Sequence, residues 1–346
     1  MKKFTQLALV SSIAISANAM AMQAMDDAAL SASTGQDGIN IGIGISKVTI
    51  DKLFVHDNDG LTANGTAGKD AGSGGTGKAG AIVIQGTTDP ANAKTIYLTT
   101  VTNTKDDTKT IKTSDFGVYV GANYSDGGKY LLATKNLADL KIDSDAGTGT
   151  NGAFLNIAAD ISGLEIHLGE IGVTASGTNA ADSIRRGGDD SNYNAILSGL
   201  SIKTGKMSAN VQLGAAPQGA MIKLNTTMIG GLEIANLGIL DSSTKAATGV
   251  AGEIHLDSIK VANTNSKNLD IKSSINVYGA SADTGNGFLR IVNEDTGGID
   301  TYVKGIHLGS ASAGSIGDVE IQGLRTYYSP ALGQYTAGSV LTVSGR

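Results

Sequence analysis

Four constellations in this sequence have residue types that could do chemistry. Gly72-Ser73-Gly74-Gly75-Thr76-Gly77-Lys78 fits the G-x-x-x-x-G-K core of a phosphate-binding loop, in which backbone N–H groups and a lysine hold phosphate. The next residue is Ala79, where a magnesium-holding hydroxyl is needed, and Ile82-Val83-Ile84 reads as a strand where a helix should start. That context argues against nucleotide binding. Asp57-Asn58-Asp59-Gly60 opens like a calcium loop, but the twelfth position, Gly68, is no carboxylate, so the turn reads as solvated. Of the four histidines, His167, His255 and His307 each sit in an Ile-His-Leu phrase and His56 stands apart. Alternation turns each of the three away from its aliphatic neighbours, and their separation along the chain predicts surface strand histidines rather than a metal centre. Glu165, Glu233 and Glu253 recur near Leu-x-Ile phrases. Their recurrence suits periodic surface residues better than the paired carboxylates of a polysaccharide-cleaving enzyme. No catalytic, metal or cofactor-binding residue is assigned, and no cofactor is expected.

The elements that would carry these residues are strands. Ile39, Ile41, Ile43 and Ile45 alternate with Asn40, Gly42 and Gly44, and Val48, Ile50, Leu53 and Val55 continue the pattern. A period of two marks strands with one apolar face. Phrases also recur. Gly-Ala followed by alternating apolar residues begins at Gly80, Gly152 and Gly219, with a degenerate copy at Gly287. Leu-x-Ile phrases precede the later copies at Leu140, Leu200 and Leu269 and follow two of them at Leu164 and Leu232. The Leu and Ile of each phrase are expected to be buried.

These patterns predict an all-β fold, with a repetitive parallel β-solenoid favoured and an antiparallel β-sandwich or extended twisted sheet as the alternative. The expected organisation is a signal peptide over 1–19, an N-terminal motif and strand over 20–45, a first β-region with a Gly-rich loop over 46–135, a β-repeat region over 136–325 and a C-terminal tail or strand over 326–346. Composition agrees with a thin, repetitive core: 48 glycines, 3 prolines, no cysteine and 4% aromatics in 346 residues. High glycine with little proline excludes collagen, and 40% apolar content excludes wholesale disorder.

Lys2-Lys3, the apolar run from Leu7 to Ile15 and Ala17-Asn18-Ala19 have the grammar of a secretory leader. Cleavage is expected between Ala19 and Met20, with Ala21 as the alternative end. Loss of the two lysines takes the formal charge from −6 to about −8, which argues against nucleic acid or anionic lipid as partner. The last residues, Tyr335 to Arg346, lack a terminal aromatic, so no outer-membrane barrel is expected.

Beyond the leader, Asp26, Leu30, Ser31, Thr34, Gly35, Gln36, Gly38 and Ile39 form the pattern D-x-x-x-L-S-x-x-T-G-Q-x-G-I. This pattern resembles the start of a family of secreted gammaproteobacterial proteins, the FilA-type pilus-system or filament-associated proteins. The resemblance implies a surface appendage role in adhesion or biofilm formation and carries over no functional residue. The expected function is therefore a structural or accessory fibre subunit, exported to the periplasm, cell surface or an extracellular fibre. Its expected partners are other subunits or itself, together with export and assembly proteins, with no membrane span in the mature chain. A non-polymerising adhesin is the alternative, and a polysaccharide-active enzyme is the third reading. Ile39, Ile41, Ile43 and Ile45 form a candidate assembly strand, donated to a neighbour or beginning the chain's own sheet.

Overall fold

The computed structural model describes residues 38–61, 74–87, 95–97, 110–112, 115–149, 152–178, 183–281 and 285–345. The leader, its cleavage site at Ala19-Met20 and the motif positions Asp26, Leu30, Ser31, Thr34, Gly35 and Gln36 lie outside these residues. The described chain forms two sheets, and it moves between them in a fixed rhythm. β1 (Ile39–Ile43) starts the first sheet; β2 (Lys47–Ile50), β3 (Lys52–His56) and β4 (Gly80–Gln85) enter the second. A small hairpin of β5 (Thr95–Tyr97) and β6 (Thr110–Lys112) follows, before β7 (Val118–Ala122) returns to the second sheet. β8 (Ala138–Asp145) and β9 (Phe154–Ile161) join the first sheet; β10 (Leu164–Leu168), β11 (Glu170–Ala175), β12 (Asn194–Leu197) and β13 (Leu200–Lys203) join the second.

The path then repeats. β14 (Met207–Gly214) and β15 (Ile222–Met228) lie in the first sheet, β16 (Leu232–Asp241) and β17 (Gly252–Asn263) in the second. β18 (Leu269–Tyr278) and β19 (Phe288–Asn293) return to the first, β20 (Ile299–Leu308) and β21 (Ser315–Leu324) to the second. A short hairpin, β22 (Tyr327–Tyr328) and β23 (Thr336–Ala337), leads to β24 (Ser339–Ser344), which closes the first sheet's sequence of strands. Gly152, Gly219 and Gly287 each stand just before the second strand of a first-sheet hairpin, whereas Gly80 opens a second-sheet strand.

The first sheet has eight strands in the order β1-β8-β9-β14-β15-β18-β19-β24. The second has twelve, but four pairs lie end to end: β2 with β3, β7 with β4, β10 with β11 and β13 with β12. Counting each such pair once, with β16, β17, β20 and β21, gives eight rungs here too. Both sheets therefore advance in chain order.

Every pairing is antiparallel, so the parallel solenoid expectation is corrected to the antiparallel alternative. The reason lies in the connections. Hairpins join alternate neighbours, such as β8 with β9, β14 with β15 and β16 with β17, and pair them antiparallel. The neighbours between them, such as β9 with β14 and β17 with β20, are reached through the other sheet and also run antiparallel.

The alternation produces continuous aliphatic rows. In the first sheet Ile39, Ile142, Ile157, Val211, Ile222, Ile275, Ile291 and Leu341 face one another across all eight strands. In the second, Val48, Val120, Ile166, Ile202, Ile234, Ile259, Val303 and Val319 do the same. Midway along each second-sheet rung the spacing of face-matched apolar residues jumps from two to three, as at Ile50 and Leu53, Leu168 and Ile171, and Leu256 and Ile259. In β16 the extra residue is Asn236, held at a φ of 59°. These bulges bend the rung while keeping its aliphatic side chains on one face.

Burial runs against the usual order. Leu164, Ile166, Leu232 and Ile234 are only half-buried, so the expectation that the Leu-x-Ile phrases form the deep core is corrected for these; Leu269 of the last phrase is buried. The most buried apolar residues, including Val83, Phe116, Tyr119, Tyr130, Met228 and Leu269, lie on the opposite face or near the crossings between sheets. The reason is coverage: loops fold onto the polar face of the second sheet and leave the aliphatic face bare among the described residues.

Candidate functional site

The polar face of the second sheet brings together groups that sequence spacing keeps far apart. Cross-strand pairing sets His167 between Tyr119 of β7 and Ser201 of β13. His167 Nδ1 lies 2.6 Å from Ser201 Oγ, and its Nε2 lies 3.4 Å from Glu165 Oε1. Lys203 Nζ is 3.4 Å from the same carboxylate oxygen. Burial raises the Glu165 pKa, but the close His167 ring and the Lys203 charge outweigh it and hold the carboxyl below its ordinary value.

Serine, histidine and glutamate in this order resemble a nucleophilic triad. A triad also needs a space beside the nucleophile for the reacting carbonyl. His167 is 1% exposed and Ser201 8%, and neither lines any of the principal grooves. The group is a tie between three strands.

A second cluster lies on the later rungs. His255 and His307 are direct cross-strand partners, with ring centroids 5.8 Å apart. Glu253 Oε1 accepts from Ser198 Oγ at 3.0 Å and lies 3.3 Å from His255 Nδ1; its Oε2 accepts from the Ala311 N–H at 2.9 Å. Gly238 makes room for this cluster, since a Cβ there would sit 2.0 Å from Glu253 Oε1 and 2.1 Å from Ser198 Oγ. His307 Nδ1 donates to the Ala313 carbonyl at 2.6 Å, and its Nε2 lies 3.2 Å from Asp257 Oδ1. The carbonyl contact, together with Asp257 and Glu253, raises the His307 pKa although desolvation opposes them. Glu253 and His307 thereby fasten the 309–314 turn onto the sheet.

The expectation that these histidines and glutamates lie on the surface is corrected. His167, His255, Glu165 and Glu253 are buried rather than surface residues, while Glu233 is half-buried. His56 Nδ1 pairs with Ser176 Oγ at 2.6 Å and its ring stacks on Phe54. Among the described residues no group of three or more His, Cys, Asp or Glu has the geometry to hold a metal ion.

Two cavities flank the polar face. One, of about 290 Å³, is lined by Glu170, Tyr193, Lys245 and Glu253. Tyr193 lies against Gly172, and burial followed by the neighbouring Glu170 raises its phenol pKa. Glu253 is engaged by its turn and Glu170 acts on the Tyr193 phenol, so both carboxylates of this cavity are occupied within the fold. The other is an open groove of about 910 Å³ beside Lys52, Phe54, His56, Arg185 and Arg186. Lys52 pairs with Asp190 at 3.1 Å, and Arg186 donates to the Gly177 carbonyl and Asn58 Oδ1.

The remaining sequence motifs resolve simply. Of the phosphate-loop-like run, the described part from Gly74 leads into β4 and not into a helix. Asp57 lies in the turn after β3, where Asp59 and local N–H groups lower its pKa. Ile39, Ile41 and Ile43 form β1 and pair with Ile142, Leu140 and Ala138 of β8 in the same chain; Ile45 lies in the crossing to β2. Gly38, the other described motif position, precedes β1 with a φ of 119°.

Sequence reasoning missed a charge row on the polar face. Lys47, Gly121, Glu165, Lys203, Glu233, Lys260, Tyr302 and Glu320 occupy consecutive rungs of the second sheet. The signal was present as a charged residue beside the same aliphatic row in successive strands, but only the pairing register brings the signs into alternation.

Residues 1–107 match a family described as a family of unknown function, DUF6160, and the matched part includes β1 to β5. No curated protein and no solved structure matches the chain.

Proposed function

We propose that the protein is a structural or accessory subunit of a bacterial surface fibre, serving adhesion or biofilm formation, and not an enzyme. The observation that carries this reading is the division of labour between the faces of the second sheet. Its reactive groups are sealed under loops, and its accessible surface is aliphatic rows with open strand edges. Such a surface suits assembly, because exposed edges and bare apolar faces favour association. The resemblance of residues 26–39 to FilA-type proteins points the same way, and the secretory grammar of residues 1–19 supplies the export route. The test is to purify the secreted chain and examine it by sedimentation and electron microscopy. The reading expects filaments or higher oligomers; a monomer at every concentration contradicts it.

The open groove favours a second reading, a secreted binding module for an acidic glycan. Arg185, Arg186 and His56 provide charge beside the exposed Ile184 and half-buried Phe54, although Asp51 and Asp190 line the same groove and Asp190 pairs with Lys52. Glycan binding by a strictly monomeric protein, lost in Arg185→Ala, would support that reading in place of the first.

A further inference from the structure

We propose that copies of this chain join edge to edge, with β21 and β24 of one copy pairing against β2–β3 and β1 of the next, so that both sheets continue through the junction. The proposal rests on the fibre reading and names its partner and register. Four observations support it.

The first is parity. Each sheet has eight rungs and alternates direction at every step. An even count makes the first and last rungs run oppositely, so a next copy's first rung placed beside the last one is antiparallel in both sheets at once. The second is the edge itself. β21 is ten residues long, carries no lysine or proline, and is exposed at nine of its positions. Natural edge strands are often blunted by brevity, lysine or proline, none of which β21 has, although it carries Asp318 and Glu320 and its register against β20 is irregular. Among the described residues no strand pairs with the outer sides of β1, β2–β3, β21 or β24.

The third observation is charge. The polar row begins at Lys47 and ends at Glu320, both exposed. Extending the sheet sets Glu320 opposite the next copy's Lys47 and continues the alternation that Glu165, Lys203, Glu233 and Lys260 make inside the chain. The fourth is the aliphatic rows. Val319 and Val48 end the second-sheet row at 43% and 40% exposure, and Leu341 and Ile39 end the first-sheet row at 58% and 60%. Interior members of both rows are half-buried. Joining the ends gives each terminal residue the two-sided neighbours its interior counterparts have.

The contact uses different surfaces on the two copies. It is therefore heterologous and, unless it closes into a ring, generates a filament. Eight rungs at about 4.8 Å give an axial advance of about 38 Å per copy.

The experiment is sedimentation velocity with electron microscopy on the full secreted chain as wild type, Lys47→Glu, Glu320→Lys and the double exchange. Val319→Lys serves as an independent edge variant, and thermal melting checks that each variant folds. The proposal expects concentration-dependent oligomers for the wild type. It expects association about tenfold weaker in each single exchange, because cross-strand like charges replace an attractive pair, and recovery in the double exchange. It also expects Val319→Lys to be monomeric but folded. Filaments indifferent in all four variants would overturn this register while leaving the fibre reading standing. A wild type that never associates would overturn both.

Discussion

The second sheet fills its polar face with titratable groups, Glu165, His167, Glu253, His255 and His307. The first sheet sets a network of amides on the corresponding face. There Asn210 donates to Asn156 and Gln218 at 2.8 Å each, Gln212 donates to Asn156 at 3.1 Å, and the Gln218 N–H donates to Gln212 at 3.0 Å. Both sheets keep aliphatic rows on the other face and both are antiparallel. The sheet frame is thus indifferent to what the polar face carries, although on the second sheet Glu165 Oε1, His167 Nε2 and His307 Nε2 are buried without a well-formed hydrogen bond. What differs is the response to solution conditions: amides do not titrate, whereas imidazoles and carboxylates do.

The largest effect expected is from Glu253→Ala. It strips the acceptor from Ser198 and from the Ala311 N–H and should cost about 3 kcal/mol in denaturant unfolding, since buried donors left unpaired are expensive. Gly172→Ala comes next. Its Cβ would lie 2.4 Å from the Tyr193 ring and 2.5 Å from the Asn194 carbonyl oxygen, so both the ring and the start of β12 must shift, at about 2 kcal/mol. Faster tryptic cleavage at Arg185 and Arg186 would report the displaced loop. In the first sheet, Gln212→Ala should cost about 1 kcal/mol, the net worth of ordinary neutral hydrogen bonds. A cost equal to that of Glu253→Ala would erase the distinction between the faces.

The smallest effect is on pH dependence. The folded-state pKa of His307 is raised, so its stabilising contribution is complete below the ordinary histidine value near pH 6.5 and is lost as pH rises through the raised value. The folded-state pKa of Glu165 is lowered, so its contribution is present above the ordinary carboxylate value and is lost as pH falls through the depressed one. Melting temperature against pH should flatten on the neutral side in His307→Gln and on the acid side in Glu165→Gln. Asn210→Ala should shift the curve without changing its shape.

Much of the strand content was legible. The alternation from Ile39 to Ile43 and the Leu-x-Ile phrases fall on strands, because side chains on a pleated strand must alternate, whereas Ile45 lies beyond β1 in the crossing. Strand direction was less accessible, since parallel and antiparallel partners share the same alternation. Hairpin turns such as that between β16 and β17 held that information for alternate pairs, while pairs such as β9 with β14 form across the other sheet's strands. Burial was misread because alternation shows that two faces differ, not which one is covered. The cover comes from residues 183–193 and 309–314, and their docking depends on long-range pairings such as Thr174 with the Asp189 carbonyl and Glu253 with Ala311. The bulge row could have been read: apolar spacing changes from two to three at Ile50 and Leu53 and again at Leu256 and Ile259.

Because the chain contains no cysteine, its edges can be tested by a disulfide that has no internal competitor. Cross-strand antiparallel partners have Cα atoms about 4.5–5.5 Å apart, within the range a disulfide spans. A chain carrying both Lys47→Cys and Glu320→Cys should oxidise under native conditions to a ladder of covalent dimers, trimers and longer species on non-reducing gels. Each single-cysteine variant should give dimers at most. A double variant that stays monomeric after oxidation, while still forming filaments, would contradict the edge-to-edge junction.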